Sequence, residues 1–516
     1  QGWQHITYGA SPLAIIFGAG RPLVRILGLL FFGNIPMNVF PLTIYTLTFH
    51  VINAFLVFLI TYQLSRKSTL SIIAALFFAV NSVDSQSVSW FGAAFGLMPS
   101  SFFILLSLYF TTLFLKTKLL KYTIYAFVAA LVSVFFKEDG LFLFVFIPIV
   151  VILSQYSFSK TSFKRNFVNF IKSRYIMVTL IFVIYLLLFV SYRYTHMVKM
   201  AQAAAIPVPN TQSILPNVFT NIIVYPLSTF SLIYIPPEVS LPLTENFTKY
   251  YLPTVMASPS SDAIIQNIVL EALAIFFAFI VLFLIQLIYV KEKDLRLLIK
   301  FSTLLLVLCM LPYVVVIRGF TYLEPRYYYI ASAAAGIYLG SFGYLLYRVV
   351  PFKRIGVIIV GLLLISFYSM HISVIREQMH KQVVIATERK NIINQVYAIT
   401  PSLHQNNNVF YVTGNRDFTV PNNKVPFQQG FGYTLMVLYF KRGTIPNDLL
   451  ANGFLWDTGS QGYQNVNGKG FGFFTNLNDL KKSLKENNLS KNNVIALYYN
   501  SNTEKVTDIT KKLDLR

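Results

Sequence analysis

Residues 41–64 read PLTIYTLTFHVINAFLVFLITYQL, an apolar run without any Asp, Glu, Lys or Arg. The hydrocarbon core of a bilayer is about 30 Å thick, and a helix needs roughly 20 apolar residues to cross it. The run is long enough to do so. It therefore predicts a membrane-spanning helix.

Comparable apolar runs recur along the chain, separated by short basic loops. Charged residues make up only 12% of the sequence, whereas soluble domains carry about 25%. Mean hydropathy is +0.59. The runs predict about ten spans, at residues 41–64, 69–81, 98–115, 122–136, 141–155, 176–192, 266–290, 301–317, 327–347 and 355–375.

The distribution of basic residues predicts the orientation of these spans. About 17 Lys and Arg residues fall in one set of alternate loops and about six in the other. Loops rich in Lys and Arg stay in the cytoplasm, so both ends of the chain are expected outside it. The formal net charge of +22 is explained in the same way. A nucleic-acid partner is not expected, because such proteins gather their basic residues on one face.

The sequence predicts two domains, residues 1–375 and 376–516. The first is a polytopic α-helical membrane domain with an N-terminal outer loop at 1–40 and a large, proline-rich outer loop at 193–265. The second is more polar and has strand-like alternation at 408–413 and 494–499. It is expected to be a small α/β domain outside the cytoplasm, with the bilayer of the plasma membrane as the partner of residues 1–375.

Motifs of soluble enzymes do not occur in this sequence. The six His residues are scattered, and Cys309 is the single cysteine, so neither a zinc site nor an intrachain disulfide is expected. No cofactor is indicated, although a divalent metal is not excluded.

Charged and aromatic residues instead gather at the predicted outer ends of separate spans. Arg binds phosphate in a bidentate manner, and a carboxylate can act as a general base. Candidate catalytic residues are Asp84, Glu138 and Asp139. Asp84 has an alternative interpretation, as the N-cap of the next helix. Candidate substrate-binding residues are Arg21, Trp90, Lys137, Arg193, His196, Glu324, Arg326 and Tyr327.

An ordered set of motifs resembles the C-fold glycosyltransferases (GT-C), in particular the multi-span O-mannosyltransferase-like proteins related to the family with tetratricopeptide repeats. The motifs are 21–23 (RPL), 32–36 (FGNIP), 48–54 (TFHVINA), 74–90 (AALFFAVNSVDSQSVSW), 137–138 (KE) and 323–329 (LEPRYYY). The resemblance implies a GT-C-like fold over about residues 20–335. It also implies transfer of a sugar from a polyprenyl-phosphate donor to a hydroxyl of a glycan, lipid or protein.

The chain departs from that family at three points. Asp84 stands where the family has a histidine, and Gln86 stands where it has an acid. No acid precedes Arg21, so the family's usual catalytic acid is expected either in a segment before Gln1 or not at all. The C-terminal domain is not a repeat array. Two other functions stay open: a lipid or oligosaccharide transporter, and a catalytically degenerate scaffold whose C-terminal domain binds a partner.

The predicted topology can be tested by labelling. Cysteine introduced as Ser501→Cys should react with a membrane-impermeant maleimide in intact cells, because the loop bias places the C-terminal domain outside. The parent chain, whose only thiol is Cys309 within an apolar run, is the control. A Ser501→Cys chain that reacts only after permeabilisation has the opposite orientation.

Overall fold

A computed structural model describes residues 21–34, 40–155, 174–203, 293–314, 325–415, 430–440, 445–451, 454–456 and 459–514, and scattered residues between 218 and 284. The chain divides into two compact units. The larger, helical unit contains most residues up to Ile375, and the smaller unit contains the residues from Arg376 onward.

The described helices up to residue 399 belong mainly to the helical unit, and the last of them continues past Arg376 into the smaller unit. They are α1 (Pro22–Asn34), α2 (Phe40–Ser65), α3 (Ser68–Ala79), α4 (Ser85–Ser89), α5 (Phe91–Thr117), α6 (Leu120–Phe136), α7 (Leu143–Gln155), α8 (Arg174–Ala203), α9 (Lys293–Leu308), α10 (Tyr329–Val349) and α11 (Lys353–Ile399). Short 3₁₀ turns at Ser82–Asp84, Glu138–Phe142, Leu311–Tyr313 and Pro325–Tyr328 precede or follow several of them.

Five helices in the described part of the chain are long and apolar enough to cross a membrane. They are Phe40–Ser65, Gly92–Thr117, Leu295–Tyr313, Pro325–Arg348 and Lys353–Ile399. The pair Ser68–Ala79 and Ser82–Ser89, bent by 44°, adds a sixth if it forms one span. The mostly helical architecture agrees with the sequence, while the count of about ten spans stays a prediction.

Two helices are longer than the sequence pattern predicts. Helix α8 continues past residue 192, through Arg193 and His196, because no proline interrupts it before Pro207. Helix α11 continues past the predicted span at 355–375 and ends at Ile399. Its 47 residues correspond to about 70 Å, at 1.5 Å per residue.

Helices α3 and α10 pack against each other at backbone distance. A Cβ atom on Gly336 would lie 2.6 Å from the carbonyl oxygen of Ala74, and one on Gly340 would lie 2.6 Å from that of Leu70. Glycines four residues apart allow helices to approach this closely. The pairing runs antiparallel, since Gly340 faces the start of α3 and Gly336 its later part. The end of α3 is thereby set beside the start of α10.

The smaller unit contains a five-stranded sheet. Its elements are β1 (Asn407–Gly414), α12 (Phe431–Phe440), α13 (Asn447–Ala451), β2 (Gly462–Val466), β3 (Lys469–Phe474), α14 (Leu477–Glu486), β4 (Val494–Asn500) and β5 (Lys505–Asp508). The strand order is β2-β3-β1-β4-β5, with β1 parallel to β3 and β4 and both edge strands antiparallel.

Successive residues along each strand point to opposite faces of the sheet, and each face packs into its own hydrophobic core. Phe410, Val412 and Leu497 belong to one core, and Val409 and Ala496 belong to the other. The two-residue turn between β2 and β3 is Asn467-Gly468, with φ of 53° and 79°. Positive φ at both positions is what a tight hairpin with the right-handed strand twist requires. The strands predicted at 408–413 and 494–499 are confirmed.

The close helix pair makes a prediction about stability. Gly336→Ala should lower the free energy of unfolding by about 1–3 kcal/mol, because the new methyl group meets backbone atoms that cannot move aside. The matched control is Gly361→Ala in α11, where nothing lies within 4 Å of the added Cβ. Helix propensity alone would stabilise both variants by up to about 1 kcal/mol.

Thermal unfolding of the purified protein in detergent measures both changes. We expect a lower melting temperature for Gly336→Ala than for Gly361→Ala. Equal shifts in the two variants would show that α3 and α10 do not touch at Gly336.

Candidate functional site

Seven of the candidate residues lie together in the helical unit, where the end of α4, the start of α1 and two 3₁₀ turns meet. We call this group the charged–aromatic cluster, and its members are Arg21, Trp90, Lys137, Glu138, Asp139, Arg326 and Tyr327. Their convergence follows from the α3–α10 pairing, because the turns at Ser82–Asp84 and Pro325–Tyr328 lie at the same end of that pair.

Arg326 lies between two aromatic rings. Its guanidinium carbon is 4.4 Å from the ring centroid of Trp90 and 4.9 Å from that of Tyr327. Cation–π contacts of this kind are worth about 0.5–2 kcal/mol, depending on desolvation. Two hydrogen bonds also hold the backbone of Arg326. The Arg326 N–H donates to Gln86 Oε1 at 3.2 Å, and Ser87 Oγ donates to the Arg326 carbonyl at 3.4 Å.

A second cation approaches the same tyrosine ring. Lys137 Nζ lies 5.4 Å from the ring centroid of Tyr327 and 2.6 Å from Asp139 Oδ2. Both partners of this ion pair are largely buried, with side-chain exposures of 12% and 8%. Breaking a pair in such surroundings is costly because one charge would be left without a partner. Asp139 therefore holds the Lys137 ammonium group against Tyr327.

Glu138 binds Arg21 from the start of α1. Arg21 Nη2 is 2.7 Å and Nε 3.0 Å from Glu138 Oε2. Partial burial lowers the pKa of the Arg21 guanidinium, but the Glu138 carboxylate raises it, and the net shift is upward. Arg21 therefore stays a cation. Glu138 keeps 19% of its side chain exposed, more than Asp139 does.

A small cavity lies behind this cluster. It measures about 10 Å³ and is lined by polar groups of Asp139, Tyr313, Arg326 and Tyr327 together with apolar side chains. A volume of roughly 10–15 Å³ holds one water molecule. The site thus has room for one water behind its cations.

Asp84 occupies a different environment from Glu138 and Asp139. It is 1% exposed, and its Oδ2 accepts a hydrogen bond of 2.7 Å from Ser332 Oγ on α10. Among the described residues its Oδ1 has no hydrogen-bond partner. The side chain makes no capping bond to α4, and the neighbouring Asn81 caps the 3₁₀ turn instead, accepting from the Val83 N–H. Asp84 is sealed between helices.

Polar residues that the sequence analysis did not propose as site residues hold the turn before α10. Tyr329 contacts His50 Nδ1 at 2.8 Å, and Asn53 Nδ2 donates to its hydroxyl at 3.2 Å. His50 Nε2 lies 3.0 Å from the Ala79 carbonyl, so it carries the proton and the Tyr329 hydroxyl donates to Nδ1. In the sequence, His50 and Asn53 are two polar residues three positions apart within an apolar run. This spacing places both on one face of a helix and could have marked them as site residues.

A second polar contact anchors the break after α3. Ser82 places its backbone N–H 3.1 Å and its Oγ 2.9 Å from His371 Nδ1 on α11. Asn81 Nδ2 donates to the Ile233 carbonyl at 3.1 Å. The turn that leads to Trp90 is therefore tied to α11 and to residue 233.

An apolar groove of about 340 Å³ begins beside this turn. Its lining residues come from α10, from α11 and from a few described residues between 234 and 284, and Tyr234, Leu346, Val360, Phe367 and Met370 are among them. The ring of Phe367 lies 4.5 Å from that of His371, which connects the groove to the Ser82 turn. The Tyr234 hydroxyl donates to the Ala335 carbonyl. A hydrocarbon chain fits this lining.

The side chains of three predicted site residues lie outside the described part of the structure. Glu324 lies outside the described residues, and the side chains of Arg193 and His196 on α8 also lie outside them. Within the part of the chain that is described, no group of three or more His, Cys, Asp or Glu residues could hold a metal ion. No protein-family model and no curated protein sequence matches the chain.

The hydrogen bonds of Tyr329 predict an effect on stability. Tyr329→Phe removes the hydroxyl that donates to His50 Nδ1 and accepts from Asn53 Nδ2, so that His50 Nδ1 is left buried without its donor, which should cost about 1–3 kcal/mol. Tyr62→Phe, an exposed tyrosine on α2, is the matched control. Thermal unfolding should show a lower melting temperature for Tyr329→Phe only, and an unchanged value would contradict the hydrogen-bond assignment.

Proposed function

We propose that this chain is an integral membrane glycosyltransferase that uses a polyprenyl-phosphate-linked sugar as donor. In this proposal the chain crosses the membrane about ten times, and the charged–aromatic cluster and the C-terminal unit lie on the outer face. The five long apolar helices and the 17-to-6 bias of basic residues between alternate loops support this placement. The ordered GT-C-like motifs support the reaction class.

One observation carries the proposal. Two cations, Arg326 and Lys137, share the ring of Tyr327. An apolar groove of about 340 Å³ is linked to the turn at Ser82 through Phe367 and His371. An amphiphilic phosphate needs these two features near each other. The guanidinium of Arg326 would bind the phosphate, the groove would hold part of the isoprenoid chain, and Trp90 would lie beside the sugar.

The cluster also suggests how transfer would proceed. The acceptor hydroxyl oxygen attacks the anomeric carbon, and the bond from that carbon to the phosphate oxygen breaks. Polyprenyl phosphate leaves with the bonding electrons, and Arg326 and Lys137 stabilise its charge. The proton of the hydroxyl passes to a carboxylate acting as general base.

Glu138 is the best candidate for that base. Asp139 is bound to Lys137 at 2.6 Å, and Asp84 is sealed against Ser332. Glu138 faces a half-exposed arginine, Arg21, and keeps 19% of its own side chain accessible. Exposure lets an acceptor displace the arginine at low cost, because ion pairs near water are weak. We assign Asp139 the task of positioning Lys137.

The smaller unit would guide the acceptor. Its buried residues form the two cores on the faces of the sheet, and the loops at its ends are rich in Asn and Ser. The glycan, lipid or protein that supplies the hydroxyl would be selected there.

The phosphate role of Arg326 has a direct test. Arg326→Lys keeps the charge but loses the planar, bidentate geometry, so affinity for a polyprenyl phosphate should fall about tenfold, as expected for charge-assisted hydrogen bonds worth about 1.5–3 kcal/mol. Binding to the purified protein in detergent measures it. Arg376→Lys, an exposed arginine on α11, is the control. Undiminished affinity in Arg326→Lys would refute the phosphate role.

The base assignment predicts a contrast between two isosteric changes. Glu138→Gln should lower sugar transfer by roughly 10²–10⁴-fold and leave polyprenyl-phosphate binding near that of the parent chain. Asp84→Asn should reduce transfer far less, since Asp84 is buried and bonded to Ser332. Transfer from polyprenyl-phosphate sugars in isolated membranes gives both values. Full activity of Glu138→Gln, or selective loss in Asp84→Asn, would overturn the assignment.

A further inference from the structure

A second group of basic residues lies at the other end of the α3–α10 pair. The two-residue turn between α2 and α3 is Arg66-Lys67, α5 ends near Lys116, and α10 ends near Arg348. Because α3 and α10 run antiparallel, Lys67 and Arg348 come to the same end. These four residues form what we call the basic end.

Contacts among these residues show that they gather in space. Lys67 Nζ is 5.4 Å and the Arg348 guanidinium carbon 5.9 Å from the same ring centroid, that of Tyr344. Arg66 lies close enough to Lys116 for the two charges to repel each other. The basic end therefore joins two pairs of neighbouring cations, linked by the peptide bond between Arg66 and Lys67.

Three of these four cations have no carboxylate partner among the described residues. The turn at 66–67 and the segment 116–121 contain no Asp or Glu. Among the described residues, Arg66, Lys67 and Lys116 form no ion pair with a carboxylate. The carbonyl groups at the C-termini of α2 and α5 attract cations, but only weakly. Like charges held together in this way favour a bound anion.

Apolar side chains are exposed beside these cations. Ile72 on α3 is 49% exposed, Leu119 beyond α5 is 48% exposed, and Phe352 beyond α10 is 68% exposed. A free phosphate ion would make no use of them, whereas the acyl chains of a phospholipid would cover them. A head group between the cations would place its chains along these side chains.

We infer that the basic end binds the head group of an anionic phospholipid, with the lipid phosphate between the Arg66–Lys116 pair and the Lys67–Arg348 pair. Basic pockets between spans bind such head groups on the cytoplasmic side of membranes. The inference rests on the membrane placement proposed above and is independent of sugar transfer.

Native mass spectrometry of the full chain tests this site. The protein in detergent is equilibrated with equal amounts of dioleoyl phosphatidylglycerol and dioleoyl phosphatidylcholine, and the retained lipids are counted. Each cation near an anionic surface is worth about five-fold in affinity. The preference for phosphatidylglycerol should therefore fall about 25-fold in the double variant Arg66→Gln, Lys116→Gln.

Two further variants separate binding from folding and from net charge. Arg66→Lys with Lys116→Arg keeps both charges and should keep the preference. Arg376→Gln with Lys505→Gln removes two exposed charges from the smaller unit and should have no effect. If the double neutral variant does not fold, the single variant Lys116→Gln should still lose about five-fold.

An unchanged preference in folded neutral variants would overturn the inference. Competition by millimolar inorganic phosphate that removes the retained lipid would show a free-anion site and would also overturn it. A chain that prefers phosphatidylglycerol but transfers no sugar would support this lipid site and contradict the transferase proposal. The two proposals can therefore fail independently.

Discussion

The backbone contact between α3 and α10 is the constraint on which the helical unit depends. Gly336 and Gly340 lack the Cβ atoms that would meet the Ala74 and Leu70 carbonyls at 2.6 Å. Apolar surface alone does not hold helices together in lipid, so close van der Waals contact between small residues supplies much of the attraction. The turns at Ser82–Asp84 and Pro325–Tyr328 lie at one end of this contact.

The charged–aromatic cluster follows from that geometry. Cations near membrane depth are costly unless they are paired or used. In this chain they are placed by other side chains: Trp90 and Tyr327 beside Arg326, Asp139 beside Lys137, and Glu138 beside Arg21. The resulting group combines positive charge, aromatic surface and one accessible carboxylate. The same helical unit has a groove with an apolar lining, linked to the turn at Ser82 through Phe367 and His371. These are the features that the proposed donor, a phosphate with a sugar at one end and a hydrocarbon chain at the other, requires.

The helices, the strands of the sheet and many residues of the charged–aromatic cluster can be predicted from the sequence. The contacts that fix their positions cannot. Lys137, Arg326, Tyr327 and Trp90 are recognisable in the sequence because charged and polar groups at the ends of apolar runs are rare. The strands of the smaller unit were recognisable from alternation. The full lengths of α8 and α11 are not, because the apolar pattern ends before these helices do and no proline breaks them there.

The different roles of the three candidate acids cannot be predicted from the sequence. Asp84, Glu138 and Asp139 share one chemistry, and their different roles arise from neighbours more than 100 residues away or from a single local cation: Ser332, Arg21 and Lys137. Spacing along the chain does not contain that information. The same holds for Tyr329, whose partners His50 and Asn53 lie on α2.

A structure of the protein in lipid nanodiscs with a bound polyprenyl phosphate tests the central claim most directly. The account predicts density for the phosphate within hydrogen-bonding distance of the Arg326 guanidinium, and density for the isoprenoid chain in the groove beside Phe367. A phosphate bound away from Arg326 and Lys137, with the groove filled by an unrelated lipid, would contradict it.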